Sequence, residues 1–313
     1  MSESFSLKRR ALLAAAAAVP AAALAAEADA ANAPAGPPEE LALGRLVKFR
    51  SGILSEYRSF RVHFSEAAAE AAAAGAPVLL FCVIDGERLF APVSAFCDYL
   101  TGGRMKAAVA PLVVGIDTVG PVVRTRDLTP YASTAGRDGR PVEGGKALGG
   151  GAARFLECIA NEVLPAAEAM LPAGAKVARR VLMGHSFGGL FTLKALVSGP
   201  KPFDDFVAID PSLWWGEGKF RAGFTDAVKE LPAGSLKGAR VLLGFGTKPR
   251  KDRGNLLKSS SASAEADWGP VFREAGAELT VRLYPNDAHG TVAIPGFFDA
   301  LKDLIPTGKR PQV

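Results

Sequence analysis

The stretch Val181-Leu182-Met183-Gly184-His185-Ser186-Phe187-Gly188-Gly189-Leu190 decides how this chain of 313 residues is read. Three apolar residues of strand character run into Gly-His-Ser-Phe-Gly, and an apolar pattern with helical spacing continues from Leu190 to Leu196. A G-x-S-x-G match means little alone; its place between a buried strand and a helix gives it weight. A strand that turns into a helix within one residue strains that residue and leaves no room for side chains two positions to either side. Gly184 and Gly188 stand at those positions. The Ser186 hydroxyl is then exposed at the tip of the turn, where the helix also aims its free N–H groups. This is the setting of an activated nucleophile.

Outward from this point, apolar runs of strand length recur. Val78 to Ile84 and Ala108 to Ile116 are continuous, as strands buried on both faces require. Phe206 to Ile209, Val241 to Leu243 and Leu279 to Tyr284 are further strands, and Phe60 to Phe64 alternates. Ala67 to Ala74 is a short alanine-rich turn or helix; residues 152–171 and Phe297 to Leu304 carry helical patterns. Strands alternating with helices predict an α/β fold: a mostly parallel central sheet with helices on both faces. The stretches 120–151, 211–237 and 247–268 read as loop insertions at the strand C-terminal edge, where such sheets bind ligands. Gly144 to Gly151 lacks the G-K-[ST] ending and the preceding strand of a phosphate loop, and reads as a flexible connection.

Composition narrows the function. A chain 49% hydrophobic and 22% charged is neither disordered nor fibrous. Lys8, Arg9 and Arg10 precede the apolar run Ala11 to Ala25, and A-x-A exits follow, so residues 1–25 read as an export signal. Arg9-Arg10 before Leu12-Leu13 resembles its twin-arginine variant. The run is too short and, at Pro20, too broken for a spanning helix. The expected organisation is a signal over 1–25, a flexible leader over 26–40 and one domain over 41–313, in the periplasm or outside the cell. The formal charge of +5 falls to +3 without residues 1–25, which hold three cations and one anion. So mild a charge argues against nucleic acid as a partner. Cys82, Cys97 and Cys158 are three buried thiols, or one bridge and one free thiol.

Five segments in order carry a resemblance to the putative-esterase family of α/β-hydrolases, which includes esterase D-like enzymes and periplasmic siderophore esterases. Gly184 to Gly189 resembles the family's nucleophile elbow. Ile53-Leu54-Ser55-Glu56-Tyr57-Arg58 resembles its opening strand motif, and Ile84-Asp85-Gly86 its "LDG" loop. Arg124-Thr125-Arg126-Asp127-Leu128-Thr129-Pro130 resembles its "R-x-R-D-L-T-P" segment, and Pro211-Ser212-Leu213-Trp214-Trp215 its "PSLWW" segment. The resemblance covers nearly all of 47–305. It implies an α/β-hydrolase fold and a serine esterase acting on a small-molecule ester, with siderophore-type or aromatic acyl esters first. Alternatives are an acyltransferase of the same fold and a catalytically inactive binding protein. No cofactor and no metal are implied.

A serine needs a base. The chain has three histidines. His63 sits in an alternating strand, and His185 adjoins the nucleophile on a strained turn, so its side chain should point elsewhere. His289 remains, after the Leu279–Tyr284 strand and last in the order Ser…acid…His. The acid is open. Many family members carry Glu after the seventh strand, but Val241 to Gly246 leads here into Thr247-Lys248-Pro249-Arg250-Lys251-Asp252-Arg253. Asp252 is the nearest carboxylate there. Asp210, at the end of the strand neighbouring the elbow strand, is its rival, and a Ser–His pair without an acid is the third option. The oxyanion donors expected are the N–H of Phe187 and, from the family resemblance, that of Glu87. Arg124, Arg126, Trp214 and Trp215 are candidate substrate contacts, since guanidinium groups and indole faces suit an anionic aromatic acyl group.

Overall fold

Strand β3 (Val78–Ile84) shows why the continuous apolar runs exist: every residue in it is buried. Leu80, Cys82 and Ile84 face one hydrophobic core, while Leu79, Phe81 and Val83 face the other. The computed structural model describes residues 42–102, 108–135, 145–198, 202–248 and 264–306. All of its elements belong to the unit running from Leu43 to Val313. The expected export signal and leader, the basic run beyond Lys248, and Asp252 lie outside the described residues.

The other strands of the main sheet are β1 (Arg45–Arg50), β2 (Tyr57–His63), β4 (Ala110–Ile116), β7 (Val177–His185), β8 (Asp205–Ile209), β9 (Arg240–Gly246) and β10 (Glu278–Tyr284). Two short strands, β5 (Ala132–Ser133) and β6 (Leu148–Gly149), pair with each other apart from it. The eight-stranded order is β1-β2-β4-β3-β7-β8-β9-β10. Pairing is antiparallel from β1 through β2 to β4 and parallel from β4 to β10. A parallel block brings the C-terminal ends of β3, β7, β8 and β10 to one edge. Together with helices on both faces, this is the α/β-hydrolase arrangement expected.

The helices divide between the two faces. Helices α2 (Gly86–Thr101) and α8 (Ala293–Leu304) cover one core through Phe90, Val93, Cys97, Phe297 and Leu301. The other face carries α1 (Glu66–Ala73), the composite helix α4 (residues 152–168), α5 (Phe187–Leu196), α6 (Lys219–Lys229) and α7 (Gly269–Glu274). Helix α4 starts as Ala152–Cys158, passes a π-helical turn at Ile159–Val163 and resumes at Leu164–Glu168. Glu162, on that turn, accepts from the Ser51 hydroxyl and from the backbone N–H groups of Gly52 and Ile53. One carboxylate thus ties the β1–β2 connection to the helix layer.

Two stretches read as irregular contain helices. Residues 120–151 include α3 (Pro121–Leu128), with proline at its start, and 211–237 include α6. Arg124 and Arg126 therefore stand on a helix, not in a loop. Helix α2 is a further helix that the sequence pattern does not announce, because Pro92 interrupts it. Its buried residues Leu89, Phe90, Val93, Cys97 and Leu100 still fall at helical spacing. The three cysteines are free and buried. Burial pushes the thiols of Cys82 and Cys97 far up and that of Cys158 up to about 12. They are packing residues.

Candidate active site

The elbow takes the conformation its sequence demands. Ser186 has φ 60° and ψ −118°, a strained region for a residue with a side chain. A Cβ on Gly184 would collide with the Gly188 backbone, so glycine is obligatory there. The turn is held from its neighbour: Ser186 N–H donates to the Ile209 carbonyl at 3.1 Å, and Ser212 N–H donates to the Ser186 carbonyl at 3.0 Å. The register pairs His185 with Ile209, so the residues just beyond, Ser186 and Asp210, emerge side by side.

His289 arrives from the loop after β10. Its Nε2 lies 3.0 Å from Ser186 Oγ, and its Nδ1 lies 2.7 Å from Asp210 Oδ2. Asp210 is 2% exposed, while His289 keeps 23% of its side-chain surface. Facing a carboxylate, Nδ1 carries the ring proton. Nε2 is then an acceptor aimed at the serine hydroxyl. Among the described residues the carboxylate beside His289 is thus Asp210; Asp252, the other one named, lies outside them. Asp210 itself has φ 44°, and its N–H donates to the Gly244 carbonyl at 2.6 Å. The strained turn aims the carboxylate at the base.

The loop carrying His289 is anchored from two sides. Lys248 N–H donates to the Asp287 carbonyl at 3.0 Å. His185 reaches under the loop, with Nε2 2.7 Å from the His289 carbonyl and its ring 4.8 Å from the His289 ring. The expectation that His185 points elsewhere holds in that it avoids the Ser186 hydroxyl. Its contact with the base was not foreseen. Burial first, then the neighbouring charge of a protonated His289, push the His185 imidazole down to about 4. An N–H donor to a carbonyl performs this task in the neutral form.

A pH dependence of stability follows. The His185 pKa falls from 6.5 to about 4 on folding, so protons bind the unfolded chain preferentially between those values. This group costs nothing above pH 6.5, and its penalty grows to about 3 kcal/mol as the pH falls to 4. His185→Gln keeps an N–H donor but cannot titrate. Its urea-unfolding free energy should therefore fall less between pH 7 and pH 4 than the wild type's; parallel curves would refute the assignment.

The helix starts that carry the expected oxyanion donors lie together. Asp85, at φ 60°, turns the chain sharply from β3 into α2. A Cβ placed on Gly188, in the elbow helix, would lie 3.2 Å from Ile84 and 3.6 Å from Asp85 Oδ2. The start of α2 thus abuts the start of α5. Phe187 and Glu87 occupy the first turns of those helices, where backbone N–H groups have no partner within the helix. Asp85 is 2% exposed and holds the turn: it accepts from Thr118 Oγ1 at 2.5 Å and from Arg124 Nε and Nη2 at 2.6 and 2.8 Å.

The candidate substrate contacts separate. The Arg124 guanidinium is engaged by Asp85 yet lies 5.4 Å from the centre of the Phe187 ring, at the wall of the site. Arg126 is committed elsewhere: Nε bonds Asp127, and both terminal nitrogens bond Glu56. Its anion-binding face is filled by these carboxylates. Trp215 is 2% exposed and donates from Nε1 to the Tyr131 carbonyl at 2.9 Å, so it closes the core. Trp214 is half-buried, with its ring 5.6 Å from that of Phe187, and remains beside the site. His63 pairs with Asp98 at 2.8 Å on β2 and α2. Among the described residues no cluster of three or more metal-ligating side chains occurs, and no helix is long and apolar enough to cross a membrane.

The arrangement can transfer an acyl group. In such an arrangement a serine can give its proton to an oriented imidazole, a buried carboxylate can steady the resulting cation, and free N–H groups can meet a developing oxyanion. The chain is 31% identical over 195 residues to a siderophore enterobactin esterase of Emericella nidulans, covering 55% of this chain and 62% of that protein. It is 34% identical over 145 residues to a siderophore triacetylfusarinine C esterase of Aspergillus fumigatus, covering 44% and 46%. The matches thus span about three fifths and one half of these relatives. In fold, the chain resembles the crystal structure of an IroE-like serine hydrolase from Shewanella oneidensis, with TM-score 0.69, 24% identity, and coverage of 84% and 80%. The family described as Putative esterase matches residues 77–287, from the start of β3 to the loop that carries His289, and the chain belongs to that family.

Proposed function

We propose that this protein is a serine esterase that cleaves carboxylic esters through an acyl-enzyme. The observation that carries the reading is the continuous line Ser186 Oγ to His289 Nε2 to His289 Nδ1 to Asp210, at 3.0 and 2.7 Å. Ser186 Oγ attacks the ester carbonyl carbon while its proton passes to His289 Nε2. The tetrahedral oxyanion meets the N–H groups of Phe187 and Glu87. The carbonyl re-forms, the alcohol leaves with the proton from His289, and water repeats the sequence to release the acid.

The proposed substrates are siderophore-type esters. The names of the relatives support this, as does the wall of Phe187, Trp214 and the Arg124 guanidinium, which suits an aromatic, electron-rich acyl group. The basic and apolar segments of residues 1–25 support export to the periplasm or beyond. The test is a panel of p-nitrophenyl esters of graded chain length, feruloyl esters and tricatecholate lactones. Release of the monomeric catechol acid from the lactones is expected. Turnover confined to short p-nitrophenyl esters would keep the esterase and remove the siderophore class; no turnover at all, with no fluorophosphonate labelling, would remove both.

A further inference from the structure

The hydroxyl of Ser212 touches the reacting atom. Ser212 is 2% exposed, and its Oγ lies 3.2 Å from Ser186 Oγ. The turn that carries it is the one that delivers the acid: in Asp210-Pro211-Ser212, the first residue bonds His289 and the third bonds the nucleophile. The turn is fixed against the elbow. Ser212 N–H donates to the Ser186 carbonyl, and Pro211 Cα would lie 3.1 Å from a Cβ on Gly189.

Proton counting sets the direction of this bond. Asp210 holds the proton of His289 on Nδ1, so Nε2 can only accept. Ser186 has a single hydroxyl proton, and it goes to Nε2. Ser186 Oγ must then be the acceptor toward Ser212, whose hydroxyl is the donor. We propose that Ser212 is a further catalytic residue, which donates a hydrogen bond to Ser186 Oγ and thereby orients the nucleophile's remaining lone pair toward the ester carbonyl. The proposal rests on the reading of Ser186 as nucleophile. In acylation, Ser212 supports the negative charge that grows on Oγ as its proton moves to His289. In the acyl-enzyme, Oγ is an ester oxygen, a weak acceptor, and the bond loosens. When the second tetrahedral intermediate collapses, the carbon–Oγ bond breaks and Oγ takes its proton back from His289. Ser212 again donates to the oxygen that carries the departing electron pair. The hydroxyl thus acts at both steps in which charge develops on Oγ, and no other reactant is required.

The test compares Ser212→Ala, Ser212→Thr and Ser186→Ala in the full chain, on a p-nitrophenyl ester, with rates normalised to the sites labelled at saturation by a fluorophosphonate. Normalisation removes any unfolded fraction from Ser212→Ala and Ser212→Thr. Ser212→Ala is expected to lower kcat per labelled site roughly 10- to 100-fold, as loss of a hydrogen bond to a charged group does. The rate of labelling should fall in parallel, with KM held within about threefold, because the contact strengthens only in the transition state. Ser212→Thr, which keeps the hydroxyl, should recover a measurable part of the loss. A per-site kcat for Ser212→Ala equal to wild type, or a raised KM with kcat unchanged, overturns the proposal while Ser186→Ala stays inactive. Wild-type turnover by Ser186→Ala overturns the nucleophile reading and this proposal together.

Discussion

Ser186→Ala and His289→Ala are each expected to lower kcat for ester hydrolysis by roughly 10⁴- to 10⁶-fold, and the double variant by no more than the worse single change. Non-additivity is the diagnostic part. The two side chains meet at 3.0 Å, and in the proposed mechanism they perform one act: Oγ becomes a strong nucleophile only as Nε2 accepts its proton. Without either partner the other has no task, so the second deletion removes nothing further. What remains is the binding energy and the backbone donors, which neither substitution touches. Fold should survive. Ser186 and His289 are both partly exposed, and neither side chain fills the core. The measurement is single-turnover hydrolysis, with circular dichroism confirming the fold. Losses that multiply in the double variant would mean that the residues act independently and would refute the pairing.

Asp210→Asn is expected to cost roughly 10⁴-fold in kcat near neutral pH, with little change in KM. The substitution is nearly isosteric, so the carboxamide still fills the buried place beside His289 Nδ1. What changes is the proton. A carboxylate can only accept and so holds the ring proton on Nδ1; a carboxamide that turns its NH₂ to the ring favours the other tautomer. Nε2 then carries hydrogen and cannot take the proton of Ser186. Part of the loss comes from the imidazolium that forms during attack, which no longer has a buried anion 2.7 Å away. Asp252→Asn is the comparison, and its kcat should stay within about threefold of wild type, since Asp210 already lies 2.7 Å from His289 Nδ1. A near-normal rate for Asp210→Asn would return the role to Asp252 or to a serine–histidine pair.

How far these residues were legible depended on whether their signal was local. The elbow was legible because strand, glycine spacing and helix are contiguous. His289 was legible because the sequence has only three histidines and two had other places. Its carboxylate partner was not, because sequence order alone does not separate Asp210 from Asp252. Arg126 and Trp215 looked like substrate contacts by residue type, and each is spent on the protein itself, on Glu56 and Asp127 in one case and on the Tyr131 carbonyl in the other. Helix α2 was hidden by Pro92, and helix α3 by the polar residues around its arginines. The tasks of His185 and Ser212 had no sequence signal beyond their places in recognised motifs.

The division has a physical basis. Hydrophobic period, glycine spacing and residue scarcity are properties of the chain taken in order, and they sufficed for the α/β architecture and for singling out Ser186 and His289, which lie 3.0 Å apart. Which carboxylate meets His289, which hydroxyl meets Ser186, and which ring supports the loop of the base depend on how far each strand end projects past its neighbour. That is set by the pairing of β7 with β8, where His185 stands opposite Ile209 and both chains turn one residue later. It is set equally by the turn that lets Asp210 and Ser212 face two different partners. Contacts across 26, 79 and 103 residues of chain are fixed by register and close packing, and those exist only once the sheet has formed.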